Sequence, residues 1–314
     1  MKKFKNLIFI LVFVVLIVQL YVLYSDNNKT TIAKEPMVGV SSFALYDIVK
    51  HIAKDSIKII NVLPLGVDPH SFEPTPKLMA NIEKSDLLFF SGAGLEPWTQ
   101  GFSFKNRAIE VSKYVDLREL GEGERQHEHH DDEEQCKHTG VDPHYWLDFS
   151  NMKKMTLLVR DELAKLQPEY KELYKKSADT YIQMLEKLGD AYQKELASCK
   201  LNLVIVNHNA IGYLAHNYGF EVESLSGITT EAQPSPRDLT RIFEEIQKDG
   251  VSTIFFENFV NNKAIRTIAN DAKVELEVFH SLGNVTAEEA KQNLTYEQIM
   301  YANLTKLSKA LACK

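Results

Sequence analysis

The chain has 314 residues, a 44% hydrophobic fraction and a formal net charge of −7. The apolar content excludes global disorder, the length favours two domains, and an acidic balance without a basic stripe argues against nucleic acid as a partner. With 14 Gly, 10 Pro and three cysteines that form no Cys-x-x-Cys pair, collagen-like chains, dense disulfide scaffolds and four-cysteine zinc fingers are also excluded.

Residues 1–25 stand apart. Lys2, Lys3 and Lys5 form a basic start, and residues 7–24 are almost wholly apolar, with Gln19 the one strongly polar side chain. That run exceeds the ~7–15 residues of an ordinary signal core and lies near the lower limit of about 17 for a bilayer span. It reads as a signal peptide or an uncleaved membrane anchor, the anchor favoured because no small-residue cleavage site follows closely. The lysines keep the N-terminus inside, so the rest of the chain faces the periplasm or the outside. Residues 26–35 read as a polar tether, and Pro36 opens the globular part.

Strand-like and helix-like stretches then alternate: a strand at 37–40, a helix at 43–53, a β-rich run at 57–63, a helix at 77–84 and a buried strand at 86–90 (DLLFF). This order predicts an α/β lobe with a mostly parallel sheet over 36–149. The run 121–140 interrupts it with seven acidic residues, Cys136 and four histidines (His127, His129, His130, His138). Almost nothing there is apolar, so it reads as a solvated loop. Linking helices are expected over 150–198, first at 151–165 and then after Pro168. In the latter, Tyr170, Leu173, Tyr174, Ala178, Tyr181, Ile182, Leu185, Leu188, Tyr192 and Leu196 recur at spacings of mostly three and four. This predicts one helix of about 30 residues, ~45 Å long, a rigid strut between two lobes. Residues 199–314 repeat the α/β signature, with strands at 202–206, 251–256 and 275–279 and helices at 210–218, 237–248, 263–272 and 296–311.

Of the ten histidines, four lie in the acidic loop, and His51 and His216 sit inside helices as ordinary residues. His70 follows a strand, His144 lies just past the acidic loop, and His208 and His280 end strands. Ligands in open α/β sheets bind beyond the C-terminal ends of strands. Two of these histidines come from each lobe. Converging on an interlobe cleft, they would make a tetrahedral nitrogen site for Zn²⁺, with Zn–N bonds of about 2.0–2.1 Å. Imidazole donors suit late transition metals better than Mn²⁺ or Mg²⁺. Any one of them alone would more often be a hydrogen-bonded turn residue. The tripeptide Asp-Pro-His, however, occurs twice, at 68–70 and 142–144. Its proline stiffens the turn, and Asp68 or Asp142 can accept the other ring N–H and fix the tautomer.

These residues carry a resemblance: GVDPHSFEPTP at 66–76, SGAGLEPW at 91–98, VDPHYWLD at 141–148, NHNAIGYLAHNYG at 207–219, GITTEAQPSPRDL at 227–239, FFENFVNNK at 255–263 and HSLG at 280–283. In this order, and over nearly all of 37–312, the chain resembles the metal-binding solute receptors of bacterial ABC importers for zinc and manganese (cluster A-I), and within them the zinc-type, ZnuA-like branch. The resemblance implies two α/β lobes joined by one long helix, the metal between them, and His70, His144 and His208 as ligands. A histidine at 208, where manganese receptors carry a carboxylate, supports zinc. The family usually has an aspartate where His280 stands, so the fourth ligand is His280 or a water. Glu231 and Glu257 are carboxylates near the cleft loops, as outer partners or substitute ligands.

The acidic loop has a formal charge of −5, two basic residues against seven acidic, which concentrates cations locally. With His127, His129, His130 and His138 it reads either as a zinc-collecting loop or as a plain solvated one. Cys199 and Cys313 are candidates for a disulfide within the second lobe, which would leave Cys136 as the odd thiol. The expected function is capture of extracytoplasmic Zn²⁺ and its delivery to an ABC transporter permease, by a monomer and without catalysis. Alternatives are another cargo (nickel, manganese or copper) on the same scaffold, or a zinc hydrolase, which no motif supports. Adhesion, credited to some related surface receptors, would be an added role.

Overall fold

The computed structural model describes residues 13–20, 35–105, 107–120, 140–228, 235–258 and 263–314. The chain divides into two units, Met1–Glu35 and Pro36–Lys314. In the first, residues 13–20 are helical and exposed, and most of the apolar segment read as signal or anchor lies outside the described residues. Among the described residues no helix is long and apolar enough to cross a membrane.

The second unit carries two four-stranded sheets. Strands β1 (Met37–Val40), β2 (Lys58–Asn61), β3 (Leu87–Phe90) and β4 (Arg107–Glu110) form the first, in the order β2-β1-β3-β4. Strands β5 (Leu203–Val206), β6 (Glu221–Ser224), β7 (Thr253–Phe256) and β8 (Glu275–Val278) form the second, in the order β6-β5-β7-β8. All six strand pairings are parallel. The inner strands β5 (LVIV) and β7 (TIFF) are buried at every residue, as parallel strands covered on both faces require. The edge strands β2 (KIIN), β6 (EVES) and β8 (ELEV) put charge or polarity on their outer positions, which blunts edge-to-edge pairing. β4 (RAIE) and β6 were not expected from the sequence, because four residues of which two are charged give no apolar run.

The helices are α1 (Phe43–Ala53), α2 (Pro76–Ile82), α3 (Phe149–Leu166), α4 (Lys171–Glu195), α5 (Gly212–Tyr218), α6 (Pro236–Asp249), α7 (Lys263–Ala272), α8 (Ala287–Lys291) and α9 (Tyr296–Ala310). Side-chain caps set several starts. Asp148 accepts from the Asn151 N–H at the head of α3, and Ser235 with Asp238 and Thr286 with Glu289 close capping boxes on α6 and α8.

The long helix is shorter than expected. Residues Pro168–Tyr170 form a 3₁₀ turn, and α4 itself has 25 residues, ~37 Å of helix. Its buried face is Tyr174, Ala178, Tyr181, Leu185, Leu188 and Tyr192, alternate steps of four and three. That face packs on α1, α3 and α9. Tyr181 donates to Asp47 of α1 at 2.7 Å, and Tyr192 donates to the Met300 carbonyl of α9 at 2.8 Å, so α4 is tied to elements of both halves. One continuous apolar core includes Val38 and Phe89 of the first sheet, Leu185 of α4, and Val206 and Phe255 of the second.

A disulfide joins Cys199 to Cys313. It closes the end of the chain onto the segment that enters β5, where Leu201 donates to the Leu311 carbonyl at 3.0 Å and Lys314 to Ser198 at 3.1 Å.

Candidate metal centre

The two Asp-Pro-His tripeptides fold alike. Asp68 Oδ1 accepts the His70 backbone N–H at 3.0 Å, and Asp142 Oδ1 accepts the His144 N–H at 3.0 Å. Each is an Asx turn that a proline at the middle position stiffens. The first turn lies beyond β2, and the second opens the 3₁₀ turn Tyr145–Leu147. His208 stands two residues past β5. The geometry brings these three imidazoles together, with ring centroids 5.3 Å (His70–His144), 5.1 Å (His70–His208) and 4.9 Å (His144–His208) apart.

One candidate donor atom from each lies within 4.8 Å of the others. His70 Nε2 and His144 Nε2 are 3.2 Å apart, close to the ~3.3 Å edge of a tetrahedron built from bonds of about 2.0–2.1 Å. His144 and His208 are 1% and 3% exposed, and His70 is half-buried and forms the outer member.

Two carboxylates stand behind the cluster. Asp142 Oδ1 accepts from His144 Nδ1–H at 2.8 Å, which leaves Nε2 facing His70. Burial pushes the Asp142 carboxyl up, but the bond to His144 and the charges of His144 and Arg118 outweigh it and hold the group below the usual carboxylate range. Glu257 leaves the end of β7 and accepts from His208 Nδ1–H at 2.5 Å with one oxygen and from the Ser281 hydroxyl at 2.5 Å with the other. Its carboxyl is likewise held low: burial opposes ionisation, and the His208 charge and hydrogen bond overcome it. Both carboxylates orient these imidazoles from their rear nitrogens, as outer partners of metal-binding histidines do.

His208 carries a second bond. Its Nε2–H donates to the Ile228 carbonyl at 2.7 Å. Both ring nitrogens thus face acceptors, an arrangement that favours the doubly protonated ring. Burial works against that charge, but Glu257's charge and hydrogen bond raise its pKa above the ordinary histidine value. An ion on Nε2 therefore has to displace one proton and the Ile228 carbonyl.

His280, expected as a fourth ligand, is not brought to this cluster. Its Nδ1 accepts the Leu282 N–H at 3.0 Å, and its Nε2 lies 3.4 Å from Glu289 Oε2. With Nδ1 taken by Leu282 and Nε2 beside Glu289, both ring nitrogens are engaged away from the cluster in this arrangement. Asn303 fixes the backbone of His280 from both sides, at 3.1 and 2.8 Å. Of the other candidates, Glu257 lies behind His208 and Asp68 caps the His70 turn. Glu231, Cys136 and the histidines His127, His129, His130 and His138 lie outside the described residues. Two participants carried no motif that the sequence reading used: Glu289 and Arg118. The latter is a lone cation in DLREL whose place beside Asp142 appears only in three dimensions.

A family model described as zinc-uptake complex component A, periplasmic (ZnuA) matches residues 38–310. The high-affinity zinc uptake system protein ZnuA of Bacillus subtilis is 30% identical over 285 residues, 88% of each chain. The zinc-binding lipoprotein AdcA of Streptococcus pneumoniae is 28% identical over 291 residues, 92% of this chain but 58% of AdcA, so the chain spans a little over half of that relative. The Zn(II)-bound ZnuA-like domain of Streptococcus pneumoniae AdcA superposes with a TM-score of 0.72 at 26% identity over 88% of this chain and 99% of that domain. The laminin-binding protein Lmb of Streptococcus agalactiae, described as an adhesin with metal-transporting activity, gives 0.76 at 27% identity over 88% and 100%. Twin parallel sheets, the strut between them and a match along 38–310 make the same assignment: the chain belongs to the ZnuA family of periplasmic zinc-uptake components.

Proposed function

We propose that the protein captures Zn²⁺ on the extracytoplasmic side of the membrane at His70, His144 and His208 and delivers it to the permease of an ABC importer. The observation that carries this reading is the convergence of three imidazoles, two of them with a carboxylate behind Nδ1. Three nitrogen donors favour a late transition ion over a hard one. The names of the Bacillus and Streptococcus relatives narrow the choice to zinc. A receptor needs capture and release only, and among the described residues Glu257 is engaged by His208 and Ser281 rather than held as a free base. The fourth donor in this reading is a water or a carboxylate. His280 serves only if it leaves both Leu282 and Glu289. The protein acts as a monomer, held at the membrane or released by the fate of its N-terminal segment, and the acidic loop over 121–140 gathers cations for the cleft.

Competitive titration with Zn²⁺ tests the reading. One tight equivalent that is lost in His144→Ala and kept in His280→Ala supports a three-histidine site. Loss in both assigns His280 to the loaded site. Equal binding by the parent and His144→Ala overturns the site.

A further inference from the structure

We propose that Arg118 is a positioning residue for metal capture: it fixes the Asp142 carboxylate behind His144, and Gly212 and Tyr213 of the second half hold Arg118 in place. The inference rests on the histidine cluster being the metal site.

The carboxylate of Asp142 divides its oxygens. Oδ1 takes the Nδ1–H and the backbone N–H of His144, at 2.8 and 3.0 Å. Oδ2 takes Arg118, Nη2–H at 2.8 Å and Nε–H at 3.3 Å. Asp142 is fully buried, and the Arg118 side chain is 17% exposed. A buried carboxylate is stable only when paired and hydrogen-bonded, and a guanidinium fork fixes its plane as well as its charge. The plane matters because it sets the direction in which His144 Nε2 points. Rotation of this carboxylate turns the imidazole away from His70.

Arg118 is itself fixed from three directions. Its carbonyl accepts the Asp142 N–H at 2.9 Å in a short antiparallel bridge, Glu119 with Val141, from which residues 121–139 leave and to which they return. Its backbone N–H donates to the Tyr213 hydroxyl at 2.8 Å, and that hydroxyl donates onward to the Asp142 carbonyl at 3.1 Å. The guanidinium carbon lies 5.9 Å from the centroid of the Tyr213 ring. Gly212 supplies the third side. A Cβ there would fall 2.0 Å from Arg118 Nη2 and 2.7 Å from Asp142 Oδ2, so only glycine admits the pair at this distance. Arg118 follows the first sheet and Gly212 follows β5 of the second, so the aim of His144 depends on contact between the two halves.

The test uses the full-length chain with Zn²⁺ in chelator competition and Co²⁺ as a spectroscopic probe. Arg118→Gln is expected to weaken Zn²⁺ binding about tenfold, as loss of an outer partner of a metal ligand does. It should also shift the Co²⁺ d–d bands, and Arg118→Lys, which keeps the charge, should recover part of both. Gly212→Ala, which pushes the guanidinium off the carboxylate, should reproduce the loss. Added to Asp142→Asn, Arg118→Gln should change affinity by less than about twofold, because a residue acting through Asp142 has nothing left to act on. Three results would overturn the proposal: Arg118→Gln binding as the parent does, an unchanged Co²⁺ spectrum, or an equal loss in the Asp142→Asn background. A parent chain that takes up no Zn²⁺ would overturn the underlying metal site instead, and is distinguishable from a parent that binds equally with and without Arg118.

Discussion

Glu257→Gln isolates the carboxylate behind His208. The amide keeps the size of the side chain and one acceptor oxygen for Nδ1–H, and removes the charge from a 2.5 Å contact between side chains that are 2% and 8% exposed. Burial leaves little solvent to screen the loss. A hydrogen bond to a charged group contributes about 1.5–3 kcal/mol, and 1.4 kcal/mol is a factor of ten, so Zn²⁺ should bind roughly 10–100-fold more weakly at pH 7. The pH profile supplies the second reading. Zinc needs the neutral imidazole, and Glu257 raises the pKa of His208 against the opposing effect of burial. In the parent, each pH unit below that raised value should therefore cost about tenfold in affinity. In Glu257→Gln only the Ile228 hydrogen bond and the Asp68 charge still oppose burial, so His208 loses its proton more easily and the affinity falls less on acidification. The parent and variant curves should converge from pH 7 toward pH 5. Isothermal titration in two buffers of different ionisation enthalpy would count the released proton as well. Equal affinity at pH 7, or curves that diverge on acidification, would refute the argument.

Reduction of Cys199–Cys313, or Cys199→Ser, should lower unfolding stability by roughly 3–5 kcal/mol, since the bridge closes a sequence separation of 114 residues; urea melts with and without reductant measure it. Zinc stoichiometry should not change, because the bridge lies far along the chain from the Asp-Pro-His turns. Tyr181→Phe removes the O–H donated to the buried Asp47 and should cost about 1–3 kcal/mol, read in the same melts. Glu289 is held down to about 2, first by its hydrogen bond to His280 and then by the Thr286 cap. A lowered carboxylate stabilises the fold above its unfolded value and loses that contribution as pH falls through its folded value. The metal-free protein should therefore lose stability between the ordinary value of 4.5 and about 2, and Glu289→Gln should flatten that segment of a pH-dependent thermal melt.

The inner strands were legible because burial on both faces leaves a continuous apolar run in each: LLFF within DLLFF, LVIV within NLVIV and IFF within VSTIFF. β4 and β6 were not, because an edge strand of four residues keeps charged positions that read as loop. The periodicity of α4 was read correctly from its tyrosines and leucines. Its first turn was not, since Pro168 and Gln167 wind it as 3₁₀. His70, His144 and His208 were legible as a group because strand ends and a repeated tripeptide place them. His280 shares the strand-end signal, yet its ring is directed by Leu282 and Glu289, contacts that no linear spacing encodes. Arg118 had no signal, because its partner lies across a bridge of the chain and its space is defined by the missing side chain of Gly212.

The continuous core has a consequence for capture. Apolar surface returns to water at about 25 cal/mol per Å², so parting two sheets that share one core costs far more than breaking a single hydrogen bond. Freeing the Ile228 carbonyl from His208 breaks one hydrogen bond, with a net cost of about 1 kcal/mol. An ion that enters at His208 therefore has to break that one bond and not the contact between the sheets. In the proposed capture the protein is thus a latch and not a jaw: the Ile228 carbonyl and the ion compete for one nitrogen, and whatever touches that segment shifts the balance between the empty and the loaded site.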